Sequence, residues 1–167
     1  MRWMAIAALA ALLAACGRPT KPEPTPPRVQ RDWVAEISAE AARAESAVDV
    51  VPLADPELDD LRIRARAATA AGQHADAEAT WRQALDLRPG DPALWQSLAE
   101  TLLAQQRWAD AEAAAAKSAE LGPRVGALCL RSRYTAFAAR IELGDAVGAA
   151  QARMRVEECV VAAPARF

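Results

Sequence analysis

The sequence has few aromatic residues and few of the β-branched runs that build sheets. Aromatic residues make up 5% of the chain, although 53% of it is apolar. Alanine supplies roughly a quarter of the residues and is the strongest helix former. Because strands favour valine, isoleucine, threonine and aromatic residues, an all-β or doubly wound α/β fold is nearly excluded. The composition therefore predicts an all-α protein.

Residue types that carry out chemistry are also scarce. The chain has one histidine, and no G-x-S-x-G, phosphate-loop or zinc-ligand pattern occurs in it. A formal charge of −2 with almost no lysine argues against nucleic-acid binding. We therefore expect no enzyme, no cofactor, no metal site and no nucleic-acid partner. His74 is expected to pack at a helix bend, and two basic stretches are expected to be solvated: Arg131-Ser132-Arg133, and Arg153 with Arg155.

Residues 1–15 have the pattern of a secretory signal. Arg2 gives a basic start, and an apolar run of about eleven residues follows from Met4 to Ala14. A helix that spans a membrane needs about 20 such residues, so this run is too short to cross.

The apolar run ends in the string Leu13-Ala14-Ala15-Cys16. This string resembles the lipobox of bacterial lipoproteins, and the resemblance implies cleavage before Cys16 and a lipid on its thiol. Such a chain is held at a membrane by its buried methylenes, at ~0.8 kcal/mol each, without spanning it. Gly17 in place of an aspartate favours the outer membrane, with the protein facing the periplasm. The alternative is an ordinary or uncleaved signal in which Cys16 is incidental.

A tether and a leading helix are expected next. Five prolines fall between residues 17 and 30, so residues 16–30 are predicted to be an extended spacer behind the lipidated cysteine. Apolar residues at helical spacing from Trp33 to Val48 predict a leading helix within residues 31–54, the rest of which is a linker.

Two segments of the remaining chain align without gaps at an offset of 34 residues. Residues 72–79 align with 106–113, and residues 85–89 align with 119–123. The small, aromatic and proline positions resemble the tetratricopeptide repeat family, whose units are helical hairpins that stack into a solenoid. The resemblance implies a short α-solenoid of about three hairpins over 55–167, with repeats at about 58–91, 92–125 and 126–163. The positions that carry it are Ala77, Trp81, Ala84, Pro89, Trp95, Leu98, Ala99, Trp108, Ala111 and Pro123.

The third repeat departs from the family pattern. Its first helix carries about four extra residues, which is one added turn and preserves the buried face. In the second repeat, Ala115 and Ser118 replace an aromatic residue and an alanine. These small residues imply either close packing against the third hairpin or a weaker interface with it.

Cys129 and Cys159 fall on the two predicted helices of the third hairpin. The turn residue Gly144 lies midway between them in the sequence, so an antiparallel hairpin places both at the same height. In an oxidising periplasm the two thiols would join, and closing about 30 residues is worth roughly 3–4 kcal/mol in the chain-entropy model. The alternative is a pair of buried free thiols.

The family resemblance implies a concave binding surface made by the first helix of each hairpin. Arg62 and Arg66 are four residues apart on one helix face and could hold a carboxylate together. The alternative is that Asp59 and Glu100 neutralise them on a solvated face. The residues expected to form the peptide-binding groove are Arg62, Arg66, Thr69, Gln96, Glu100, Leu103 and Tyr134.

Two functions fit this sequence. The first is a periplasmic scaffold, anchored to a membrane, that binds a protein or peptide partner, for example in pilus or secretion-channel assembly. The second is an accessory or regulatory subunit of an envelope or cell-wall enzyme. The sequence names neither the partner nor the oligomeric state.

Overall fold

The computed structural model describes residues 31–43 and 55–160. The predicted signal, the tether and Cys16 lie outside the described residues. Every described element is an α-helix, and the all-α solenoid predicted from the sequence is confirmed. The seven helices are α1 (Trp33–Arg43), α2 (Pro56–Ala70), α3 (His74–Leu87), α4 (Pro92–Ala104), α5 (Trp108–Leu121), α6 (Ala127–Glu142) and α7 (Ala146–Glu157).

The first two hairpins begin with the same capping chemistry. The Asp91 carboxylate accepts hydrogen bonds from the backbone N–H of Ala93, at 2.8 Å, and of Leu94, at 3.4 Å. The Asp55 carboxylate accepts from the N–H of Leu58 at 3.4 Å, and a proline follows each aspartate at the first helical position. These caps satisfy donors that a helix start leaves unpaired, and they fix where α2 and α4 begin.

Three hairpins stack in sequence order. Helices α2 and α3, α4 and α5, and α6 and α7 pack as pairs, while α3 contacts α4 and α5 contacts α6. Ala77 and Ala111 are fully buried where the paired helices cross, and Trp81 is buried between the first and second hairpins. Small residues at the crossings let the helix backbones approach closely, while the large residue fills the space between repeats.

Turns at equivalent repeat positions share one backbone conformation. Gly72 ends the first turn with a φ of 72°, and Gln106, 34 positions later, has a φ of 60°. This left-handed region favours glycine, so Gln106 adopts it under the constraint of the repeat geometry.

The leading helix α1 does not lie against α2, the next helix in sequence; its contacts are with α6 and α4. Trp33 and Ile37 are buried, and the Trp33 indole N–H donates to the Glu142 carboxylate at 2.7 Å. The Trp33 ring also meets the Phe137 ring edge to face, with 6.1 Å between centroids. Because α4 and α6 are both first helices of their hairpins, α1 lies on the inner surface of the stack.

The third hairpin brings its two cysteines together. Cys129 of α6 and Cys159, two residues beyond α7, lie at disulfide-bonding distance, with their Cα atoms 5.6 Å apart. The Gly126 N–H donates to the Cys159 carbonyl at 2.9 Å, which joins the same two segments through the backbone. Residues equidistant from Gly144 are therefore at the same height, as the hairpin prediction requires.

Candidate functional site

The predicted groove residues all lie on the first helices of the hairpins, but they do not form one open surface. Three belong to α2, three to α4 and one to α6. Leu103 and Tyr134 are buried, with 2% and 6% of their surface exposed. Neither side chain is therefore open to a ligand in the groove to which the sequence assigned it. Tyr134 packs instead against Phe137, with 5.5 Å between ring centroids, on the helix that α1 covers.

A polar network fills the centre of the inner surface. The buried Gln96 donates from Nε2 to Glu100 Oε1 at 3.0 Å and to Thr135 Oγ1 at 2.9 Å. Arg131 of α6 donates to both Glu100 oxygens, at 2.9 and 2.6 Å. Such a bidentate pair is among the stronger hydrogen-bonded arrangements. The network therefore joins α4 to α6 at the middle of the stack.

Arg131 corrects the expectation that the basic stretch at 131–133 is solvated. Its side chain is partly buried, and Ser132 is buried too. Burial lowers the pKa of Arg131, but the hydrogen bonds and charge of Glu100 outweigh it and raise that pKa above its ordinary value. The Glu100–Arg131 pair had no local sequence signal, because its partners are 31 positions apart on different helices.

Of the two arginines predicted to bind a ligand on α2, Arg62 is already paired with carboxylates and Arg66 is not. Arg62 donates to Asp91 at 2.6 Å and to Asp59 at 3.4 Å, and its side chain is 20% exposed. Asp59 thus neutralises Arg62, as the alternative interpretation expected, whereas Glu100 is engaged by Arg131. Arg66 is exposed and makes no ion pair with any residue that the structure describes.

Thr69, the remaining predicted groove residue on α2, forms a hydrogen bond within its own helix. The Thr69 hydroxyl donates to the Ala65 carbonyl, one turn earlier on its own helix, at 2.9 Å. Thr69 nevertheless stays half-exposed beside the exposed Ala70. The part of the inner surface that α1 leaves to solvent is therefore centred on Arg66 and Thr69, which we call the α2 surface.

Across 31–43 and 55–160, no cluster of histidine, cysteine, aspartate or glutamate could hold a metal ion. In the same ranges, no helix is long and apolar enough to cross a membrane. His74 is half-buried at the start of α3, and its carbonyl accepts a hydrogen bond from Gln105 at 3.1 Å, which fits a packing role at the bend.

Comparisons with known proteins agree with this architecture. A tetratricopeptide repeat family model matches residues 68–128. The structure of the globular C-terminal domain of P. aeruginosa LpoP is 27% identical, with a TM-score of 0.59, and the match covers 63% of this chain and 99% of that one. A chain of the CopN–Scc3 complex has a TM-score of 0.61 at 16% identity, covering 95% of this chain and 90% of that one. No curated protein sequence matches significantly.

These matches differ in what they show. The similarity to the CopN–Scc3 chain shows the fold alone, at its low identity. The LpoP match spans nearly that whole domain and extends the likeness beyond the residues of the family model. The family match and the LpoP match together indicate a helical repeat fold of the kind that binds other proteins.

Proposed function

We propose that this chain is a lipid-anchored periplasmic module that binds a protein partner through the α2 surface. The observation that carries the proposal is the stack of three tetratricopeptide-like hairpins, an architecture that such repeats use to bind other proteins. The lipobox ending at Cys16 and the proline-rich segment behind it support the anchor and the spacer. The likeness to a domain of P. aeruginosa LpoP supports a place in a bacterial envelope.

The geometry limits the accessible binding surface to α2. Helix α1 covers the inner face of α6, and the Glu100–Arg131 network closes the middle, so the accessible part lies along α2. Arg66 offers a charge that no described residue neutralises, which favours an acidic segment of the partner. Arg62 adds no net positive charge to this surface, because Asp91 and Asp59 both pair with its guanidinium. A short surface of this kind suits an extended or helical peptide segment better than a small molecule.

Site-specific photocrosslinking in cells tests this surface. A benzoylphenylalanine at the exposed position Ala70, one turn after Arg66 on α2, should crosslink the partner, and the same group at the exposed position Gln83 on α3 should not. Adding Thr69→Glu to the position-70 probe should reduce the crosslink, because the new charge repels an acidic segment. Equal crosslinking at both positions, or none at position 70, would contradict the proposed surface.

Arg66→Ala should change partner binding without changing stability, whereas Arg62→Ala would change both. Arg66 is exposed, so its loss should leave the melting temperature unchanged while weakening partner capture. Arg62 is mostly buried against the cap of α4, so removing it should also destabilise the stack. A partner that binds Arg66→Ala as tightly as the wild type would place the site elsewhere.

The same surface also fits the second function, a regulatory subunit of an envelope or cell-wall enzyme. The crosslinked partner distinguishes the two. A structural component of a pilus or secretion channel supports the scaffold. An envelope enzyme supports the regulatory role, provided that its activity changes when the wild-type module is added and does not change with Arg66→Ala.

A further inference from the structure

A pocket of about 260 Å³ opens between the second and third hairpins, lined by residues of α5, α6 and α7. No residue of α1, α2 or α4 lines it, so it is separate from the α2 surface. Pockets for small molecules usually measure about 300–1,000 Å³. This one is smaller and is suited to a single large side chain.

The repeat pattern places small residues around the pocket. Ala115, at its base, stands 34 positions after the buried Trp81. Ala115 is fully buried, so α5 and α6 pack closely there, and the open part of the pocket is walled by the methyl groups of the less buried Ala116, Ala119 and Ala136. We call it the Ala115 pocket; its alanine walls are Ala115, Ala116, Ala119, Ala136 and Ala152.

Polar ties keep the helices around this pocket at a fixed spacing. The buried Ser118 hydroxyl bonds to the Ser132 hydroxyl at 2.7 Å and to the Pro92 carbonyl at 2.8 Å. On the other side, Arg140 pairs with Glu112, which again joins α6 to α5. These buried or half-buried bonds hold α5 against α6 at the base and along one side of the pocket.

The rim of the pocket is positively charged. Three arginines and two glutamates line it. Glu112 neutralises Arg140, and Lys117 neutralises Glu120 at a distance of 2.9 Å. Arg133 and Arg155 form no ion pair within 31–43 or 55–160. An apolar hole of aromatic size thus lies beside two uncompensated guanidinium groups.

We propose that the Ala115 pocket binds an aromatic side chain of a partner protein that carries an acidic residue next to it. The ring packs against the accessible alanine walls, Ala116, Ala119 and Ala136. The neighbouring carboxylate is held by Arg133 or Arg155, which can bond it bidentately. Aromatic anchors that fill pockets in this way dominate the binding energy of many interfaces.

Short labelled peptides test the proposal, with the full-length protein in lipid nanodiscs and fluorescence anisotropy as the measurement. The probe is acetyl-Gly-Asp-Trp-Asp-Gly-amide bearing a dye. Replacing its tryptophan by alanine, or both aspartates by lysine, should weaken binding at least about tenfold.

Two pairs of protein variants place the binding. Ala116→Trp, at an exposed wall position, should block the pocket and weaken binding at least about tenfold, while Ala113→Trp, exposed on the same helix outside the pocket, should not. Arg133→Gln with Arg155→Gln should weaken binding about fivefold at low salt and little at about 1 M salt, where charges are screened. Arg124→Gln, exposed off the rim, is the charge control.

Several results would overturn the proposal. These are no binding of the probe at about 2 mM, equal binding of the lysine peptide, or unchanged binding to Ala116→Trp. Arg66→Ala should bind the probe like the wild type. Failure of the Ala115 pocket and failure of the α2 surface are therefore distinguishable.

Discussion

At the scale of single residues, Glu78 holds one hairpin to the next. Its carboxylate accepts hydrogen bonds from Arg82 on its own helix, from Gln105 at 3.0 Å, and from Arg107 at 2.9 and 2.7 Å. Gln105 and Arg107 belong to the turn between α4 and α5. Burial raises the pKa of Glu78, but these hydrogen bonds outweigh burial and leave the pKa below its ordinary value.

A carboxylate with a lowered pKa stabilises the folded chain above its unfolded pKa, and that contribution is lost as the pH falls through the folded pKa. We expect Glu78→Gln to lower the free energy of unfolding by about 1–2 kcal/mol at pH 7, with the deficit shrinking below about pH 4. Urea unfolding at a series of pH values measures this. Asp86→Asn, at an exposed position, is the control, and a deficit that does not depend on pH would contradict the charge-based explanation.

Gln106 occupies a backbone conformation that favours glycine. Because a residue with a side chain loses about 1–2 kcal/mol there, and glycine loses about 0.5–1 kcal/mol more entropy on folding, Gln106→Gly should stabilise the domain by up to about 1 kcal/mol. Gly72→Gln, the reverse change one repeat earlier, should destabilise it by a similar amount. Thermal unfolding of both variants is the measurement, and a lower melting temperature for Gln106→Gly would show that the turn is not strained.

At the scale of elements, α1 is attached to the stack by a few large contacts. Trp33→Ala removes a buried ring and its bond to Glu142, so we expect a loss of about 3–5 kcal/mol at this contact. Because α1 is short, the loss should appear first as faster amide hydrogen exchange over residues 33–43, with α4 still protected. Ser38→Ala, on the exposed side of α1, should leave exchange unchanged. Uniformly faster exchange in all helices would mean that α1 and the hairpins unfold as one unit.

The third hairpin places Cys129 and Cys159 at bonding distance, so we expect its stability to depend on a disulfide between them. Closing its loop, with a separation of 30 residues, should contribute roughly 3–4 kcal/mol, so reduction should lower the melting temperature. Thiol alkylation without reductant, followed by mass spectrometry of protein made in the periplasm, tests the bond directly. Two alkylated cysteines in that protein would show that the disulfide is absent.

At the scale of the whole molecule, the lipid anchor decides where the binding surfaces act. Cys16→Ser should abolish incorporation of labelled palmitate and block processing, since the lipid is attached to the thiol. The folded part should be unaffected, because Cys16 precedes the described helices, and its circular dichroism is the control. Equal labelling of wild type and variant would remove the lipoprotein hypothesis and, with it, the tethered form of the proposed function.

The sequence by itself determined the local and periodic features of this protein. The aspartate–proline pairs at 55–56 and 91–92 set the starts of α2 and α4, because a cap depends only on residues within one turn. The offset of 34 residues predicted the hairpins, because each repeat of that length is one helix–turn–helix unit. The facing positions of Cys129 and Cys159 followed from hairpin geometry, which is also local.

Only the tertiary structure decided which surfaces stay open. Nothing in the pattern around Trp33 showed that α1 would lie on α4 and α6 rather than on α2, because an apolar stripe predicts burial without naming the helix that covers it. Tyr134, which the family pattern had assigned to the groove, is buried against Phe137 of its own helix. The pairing of Glu100 with Arg131, and the pocket at Ala115, likewise depend on side chains from different helices meeting in space. Their distances are set by packing, and no spacing within one segment encodes them.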